Sequence, residues 1–485
     1  MKSIYKILGL SLLLAATACN DVLDRTPQGE YTLENFFQNE EQSVQSVNAI
    51  YNHLRSWEVH IFSYIGMTDI VSDDADKGSF ESDGFFLQEI DQFTYTSTNV
   101  APSSVWNGYY AGIFRSNLAI ANLPEVPQID EDVRTRLIGE ASFLRAYFYF
   151  NLVRWFGDVP LITEPFPETY AIARAPLDQV YAQIEADLQT AASNLPASYD
   201  AASTGRATSG AATAMLAKVA LTRGQWQPAA DYALQVINGE EYALYPSYAE
   251  LFTQAGENSS ESIFEVQAAA FEIGGGGSQY NEVQGVRGNP NLGWGFNRPS
   301  DNLIASYESG DPRLDATVLY VGEVLPDGSG IVEGDPNIDN DRYNQKAYVT
   351  EHPGTNGNGP GNIRIFRYAD LLLIAAEALN ELGRPEEALT YLNQVRARAR
   401  GTGSSLPDVT TTDQGTLREA IWRERRSELG MEQQRWFDLV RTNRSAEVMK
   451  PLRPDFTENK NELFPIPQTE IDLSEGALTQ NPGYN

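Results

Sequence analysis

The side chains from which this chain could build a reactive centre are few: three histidines and one cysteine against 66 aspartates and glutamates in 485 residues. His53, His60 and His352 are scattered, and no H-E-x-x-H zinc helix occurs. There is no G-x-S-x-G elbow and no P-loop lysine motif. Gly293-x-Gly295 lacks the third glycine and the preceding strand of a dinucleotide site. A carboxylate pair for glycoside hydrolysis is defined by its separation in space, and nothing in the order of residues singles one out. The expectation is a protein that is not an enzyme. One oxygen-rich run stands out, because Asp335, Asn337, Asp339 and Asp341 alternate like the front half of a calcium loop. Asn340 stands where such a loop needs glycine and Lys346 where it needs glutamate. The run is therefore either a looser calcium site or an acidic turn, and no other cofactor is expected.

Aromatic side chains are the other chemical resource, with 24 Tyr, 21 Phe and 7 Trp. A flat ring packs on the C–H face of a sugar, while Asn, Asp, Gln and Arg pair with its hydroxyls. Trp294 is the best candidate for such a platform, since it stands between two glycines in a polar stretch with no helical partners. The competing reading is a local packing plug. Trp106, Trp155, Trp226, Trp422 and Trp436 lie in helical or turn motifs and are expected in the core, with Trp57 intermediate.

The single cysteine, Cys19, follows a leader. Lys2 and Lys6 give a positive start, residues 7–16 are apolar except for Gly9 and Ser11, and Ala16-Thr17-Ala18 are small. The apolar part is too short to span a bilayer and reads as a secretory signal. The arrangement resembles a bacterial lipobox, with Ala16 in place of the usual leucine, which makes Cys19 the expected lipidation site. The alternative is an ordinary signal peptide cleaved after Ala18. Asp21 and Asp24 resemble the early acids that send lipoproteins to the outer face of the outer membrane. The most apolar later stretch, residues 371–379, falls far short of the ~20 residues a span needs. A soluble body on a lipid tether is expected.

A formal charge of −31 argues against nucleic acid, whose phosphates need a basic footprint, and disfavours docking on anionic lipid. Neutral glycans or cationic partners fit better.

Helices must position whatever these side chains do. Apolar residues recur at three- and four-residue steps over 133–156 (Leu137, Ala141, Leu144, Phe148, Leu152) and over 177–195. Two later blocks share a plan, with helices over 211–222 and 229–237 joined at Gly224, and over 368–382 and 386–400 joined at Gly383. In each, an alanine (Ala229, Ala388) follows the turn glycine by five residues, a spacing that lets antiparallel helices approach closely, as in tetratricopeptide pairs. Residues 416–444 predict one more long, charged helix. Residues 59–104, 256–361 and 401–414 read as irregular, and such tracts usually carry function or disorder.

A series of short motifs then occurs in a fixed order. Asp21-Val22-Leu23-Asp24 with Pro27 opens it, followed by Trp106, Tyr109, Ile113 and Asn117. Arg145-Ala146-Tyr147-Phe148 and Phe156-Gly157-Asp158-Val159-Pro160 come next. Ala207-Thr208, Glu261-Ser262-Ile263-Phe264-Glu265, Asp311-Pro312-Arg313 and Arg367-Tyr368-Ala369-Asp370 continue it, with Glu424-Arg425-Arg426 and Arg435-Trp436-Phe437-Asp438-Leu439 after them. Leu463-Phe464-Pro465-Ile466-Pro467 and Gln480-Asn481-Pro482-Gly483-Tyr484 close it. Together they resemble the SusD/RagB family of outer-membrane nutrient-binding lipoproteins. The resemblance implies a mostly α fold on tetratricopeptide-like pairs with long irregular loops forming the ligand surface. It implies a signal peptide over 1–18 and a single domain over 19–485, with scaffold at about 30–255 and 365–445 and ligand-binding insertions at about 57–105 and 256–361. It further implies an oligosaccharide- or polysaccharide-binding, non-catalytic protein of the outer membrane, facing the cell surface, partnered by a SusC-like TonB-dependent transporter.

By region, the ligand surface of the family falls here on Asp73, Asp74, Lys77, Tyr95 and Asn99, and on Tyr280, Arg287, Trp294, Phe296, Asn297 and Arg298. Arg425, Arg426, Arg435 and Asp438 read as an ion-pair network that supports the fold. The alternatives are peptide capture by the same uptake architecture, a lipid-anchored glycoside hydrolase, and a structural helical-repeat adaptor.

Overall fold

A computed structural model describes residues 36–169, 171–269, 275–350 and 358–484. Cys19, Asp21, Asp24 and His352 lie outside them. The amphipathic periods become helices α1 (Glu40–His53), α2 (Val100–Asn122), α3 (Glu131–Phe156), α4 (Leu177–Asn194), α5 (Ser209–Thr222) and α6 (Trp226–Gly239). After the loop-rich middle come α7 (Tyr368–Glu381), α8 (Pro385–Arg400), α9 (Gln414–Leu429) and α10 (Arg435–Arg441). Side-chain caps start several of them: Asn39, Asn99, Asp130, Thr208 and Asp413 each accept a hydrogen bond from a first-turn N–H.

Neighbours in sequence are neighbours in space, with α2 on α3, α3 on α4, α4 on α5, α5 on α6, and α7 on α8 and α9. The two look-alike blocks meet where α6 packs on α7. Ala229 and Ala388 are fully buried at these contacts, as their spacing predicts. Gly383 turns the chain at φ +72°, and a Cβ there would meet nothing within 4 Å, so it is the left-handed backbone that calls for glycine. The apolar run 371–379 is the buried heart of α7. Among the described residues no helix is long and apolar enough to cross a membrane.

Three two-stranded antiparallel ribbons stand out from the helices: β1 (Ala75–Gly78) with β3 (Phe296–Pro299), β2 (Ser262–Val266) with β6 (Ile363–Arg367), and β4 (Val318–Tyr320) with β5 (Arg342–Asn344). One apolar cluster runs from Val47 to Tyr484 and joins both helical blocks. Beside it lies a buried charge network. The Glu428 carboxylate faces Arg313 and Arg367, each at 3.1 Å, and also Arg398. Burial opposes its charge, but Arg398, Arg367 and Arg313 together hold its pKa down at about 2.

Two expectations change. The helix expected over 416–444 is broken at 430–434, where Met431 and Gln433 take positive φ. The break has a cause: the Gln433 N–H leaves the helix to donate to Asp69 at 3.0 Å. The tract expected to be irregular over 59–104 carries short helical turns at Trp57–His60, Phe62–Ile65, Gly66–Ile70 and Phe85–Asp91, and the first turn of α2. Val59, His60, Ile65, Met67 and Ile70 are buried there, so packing rather than periodicity shapes these turns.

Candidate ligand-binding surface

The two tracts expected to bind ligand are brought together by one ribbon. In β1–β3, Ala75 pairs with Pro299, Asp76 with Arg298 and Gly78 with Phe296. On one flank aromatic rings gather around Phe62, with Trp57 at 5.1 Å, Phe86 at 5.3 Å, Trp294 at 6.1 Å and Phe296 at 4.7 Å. Trp57 and Trp294 face each other at 5.9 Å and 52°. Trp57, Phe86 and Trp294 are half-buried and Phe85 is 68% exposed, so the cluster keeps an open face. The glycines beside Trp294 have a structural reason. A Cβ on Gly293 would lie 2.2 Å from the Glu282 carbonyl, and Gly295 sits at φ +75°. The Trp294 backbone N–H donates to that same carbonyl at 2.8 Å, which fixes the backbone that carries the indole.

On the other flank lies a polar cavity of about 380 Å³, lined by Asp76, Lys77, Glu81, Gln88, Arg298 and Asn337 among others. Lys77 Nζ donates to the carbonyls of Phe80 (2.6 Å) and Asp83 (2.9 Å), and burial lowers its pKa. Arg298 pairs with Asp76 at 2.7 Å and with Asp341 at 3.2 Å. Between the flanks, Arg287 stacks on Phe80 at 4.1 Å and donates to Asp83 (2.6 Å) and Ser79 (2.8 Å). Rings beside fixed amides, carboxylates and guanidiniums make a surface that can stack on an apolar face and bond a row of hydroxyls.

Eight of the eleven residues expected at this surface are buried: Lys77 and Phe296, each 4% exposed, sit beneath the cavity and the rings, and the other six lie behind it. Asn297 is fully buried, with its Nδ2 donating to Asp69 (3.0 Å) and Gln284 (2.8 Å). Tyr280 accepts from Gln433 at 2.9 Å. Asp73 and Asp74 are held by Arg426 and Arg435, Asp73 at 2.8 and 2.7 Å, and Arg426 also reaches Asp74 at 2.8 Å. Tyr95 stacks between Phe464 and Tyr484 in the C-terminal core. Asn99 caps α2 and donates to Phe86 O and Glu89. These side chains brace the surface from within. For all but Asn99, whose partners Phe86 and Glu89 are local, the reason is a partner from a distant part of the chain, which residue type and region do not reveal. Asp69 is the hub of this frame. It accepts from Asn297 and from Gln433 Nε2 at 2.8 Å, and burial raises its pKa to about 6 against those donors.

The Arg and Asp residues read as a fold-supporting network are all paired: Arg425 with Asp370 and Asp438, Arg426 and Arg435 with Asp73. The run Asp335, Asn337, Asp339, Asp341 is held as a turn by bonds of its own. Asp335 accepts from the N–H and side-chain amide of Asn337 at 2.9 and 2.8 Å, and Asp341 pairs with Arg298 and Arg342. Among the described residues no group of three His, Cys, Asp or Glu side chains could hold a metal. Residue order alone did not single out Phe62, Phe80, Asp83, Phe85 and Phe86. The adjacent rings Phe85-Phe86 after Gly84 in a polar tract were the available signal.

The comparisons with known proteins agree with this architecture. Residues 260–484 match the SusD family, and residues 23–221 match a SusD-like family described as starch-binding and associating with the outer membrane. The SusD-like protein P2 of Formosa agariphila is 33% identical over 517 residues, covering 99% of each chain. A SusD-like protein of Bacteroides ovatus is 29% identical, covering 91% of this chain and 82% of its own. A solved structure described as a laminarin binding SusD-like protein is 33% identical with a TM-score of 0.80, covering 92% of this chain and all of its own. A SusD-like protein from Bacteroides fragilis superposes with the same TM-score at 25% identity, covering 95% of this chain and all of its own.

Proposed function

This chain belongs to the SusD family, and on that premise we propose that it captures oligosaccharide or polysaccharide at the cell surface, without chemistry, and hands it to a SusC-like TonB-dependent transporter. The observation that carries the reading is the pairing of the open Trp57–Phe62–Trp294 cluster with a polar cavity on the same β1–β3 ribbon. Trp294 and Arg287 are partly open beside it, Arg298 and the buried Lys77 line the cavity, buried Phe296 backs the rings, and Trp57, Phe85 and Phe86 extend the apolar part. The similarity to a laminarin binding protein supports a glycan ligand and makes laminarin, a β-glucan, the first probe.

Cys19 tethers the body to the outer membrane by lipid, in keeping with the leader and with the family description. Among the described residues no helix is long and apolar enough to cross a membrane. The decisive experiment is retention on polysaccharide affinity gels together with a reducing-sugar assay. Retention that Trp294→Ala abolishes, without sugar release, supports the reading. Sugar release favours a hydrolase, and peptide binding in the absence of glycan retention overturns it.

A further inference from the structure

A second concavity, of about 740 Å³, lies away from this surface, between α2, the loop after α3 and the C-terminal turn Gln468–Leu473. Of its lining residues Phe114 and Leu473 are 41% and 74% exposed, and Phe166, beside Phe114, is 56% exposed. Phe114 and Phe166 meet edge to face at 5.6 Å, and Tyr110 donates to the Pro160 carbonyl at 2.8 Å to fix one wall. An apolar cluster of this kind, exposed on so acidic a chain, marks a contact surface.

The charge of the groove is one-sided. Glu164, Glu470 and Glu475 line it, and among the described residues no Lys, Arg or His does. Glu470 is half-buried, makes no ion pair among the described residues, and burial alone pushes its pKa upward. Elsewhere in this molecule the buried Asp73 and Glu428 carry their charge against arginines. A desolvated carboxylate without a counter-charge in an apolar groove is complemented by a cation with apolar neighbours.

We propose that this groove docks the membrane protein that receives the cargo, through an apolar segment of that partner bearing a lysine or arginine; the inference rests on the delivery reading above. The test expresses the full tagged chain in its own host, with a photo-crosslinking residue at position 473 or, as control, at exposed position 189 on α4. Glu470→Lys and Leu473→Asp are prepared in parallel, with circular dichroism to check the fold and glycan retention to check the ligand surface. The expected result is a dominant 473 adduct to a transporter peptide containing Lys or Arg. Co-purification should also fall at least ten-fold in both variants while glycan retention stays unchanged. Equal adducts at 473 and 189, or full co-purification of Glu470→Lys, overturns the groove. If the unaltered chain brings down no transporter, the delivery reading fails and takes the groove with it.

Discussion

His60 provides a perturbation whose size can be worked out from the structure. It ends the turn that carries Trp57 and is fully buried, with Nδ1 2.7 Å from the Leu54 carbonyl and Nε2 2.6 Å from the Tyr147 hydroxyl. Burial lowers its pKa from 6.5 to about 4. The folded protein therefore refuses a proton that the unfolded chain accepts. This stability is fully present above pH 6.5 and is lost as pH falls toward 4. The linkage amounts to about 2 kcal/mol between pH 8 and pH 5, and about 3 kcal/mol below pH 4. His60→Gln keeps a neutral side chain that can still bond both partners, and removes the titration. At pH 8 the variant should be less stable by about 1–2 kcal/mol, from imperfect hydrogen bonds and packing. At pH 5 that deficit should shrink by about 2 kcal/mol and close or reverse. Urea unfolding followed by tryptophan fluorescence at the two pH values reads this directly, because groups common to both proteins, His53 included, cancel in the double difference. A deficit that stays constant between pH 8 and pH 5 would refute the reasoning.

The remaining predictions concern other parts of the molecule. Glu428→Gln leaves Arg313, Arg367 and Arg398 short of a carboxylate in a buried network, and should cost about 3–5 kcal/mol, read as a lowered urea midpoint at pH 7. The opposite pH sense applies there, since the depressed pKa of Glu428 gives stability above pH 4.5 that fades as pH falls toward 2, so the deficit should narrow in acid. Gly383→Ala meets open space but must hold φ +72°, and should cost about 1–2 kcal/mol by thermal unfolding without altering glycan retention. Asp69→Leu removes the acceptor shared by Asn297 and Gln433, and should weaken glycan binding as well as stability, because the strand bearing Phe296 loses its brace.

The helical frame was legible because its signal is local: apolar steps of three and four residues gave α3 through α8 nearly to the residue, and Gly224 and Gly383 marked the turns. The break at 430–434 was not legible, because its cause is a contact between Gln433 and Asp69 across the whole chain. The ligand surface was legible as two tracts, which the ribbon pairing of Asp76 with Arg298 joins. Which side chains face outward was not, because burial is set by distant partners. Asp73 turns inward to Arg426 and Arg435, and Asn297 to Asp69, while Arg298, the next residue, stays partly open and lines the cavity. Trp57, read as intermediate, stands opposite Trp294.

The central claim is that the Trp57–Trp294 face binds glycan. Titration calorimetry of laminarin into the full chain, Trp57→Ala, Trp294→Ala and Phe114→Ala tests it most directly. Loss of a stacking ring is worth about 1–3 kcal/mol, a drop of roughly five- to 150-fold in affinity. The account predicts that drop for each tryptophan and unchanged binding for Phe114→Ala, whose ring lies in the separate groove. Laminarin, or another glycan retained on the gels, binding both tryptophan variants as tightly as the parent chain would contradict it.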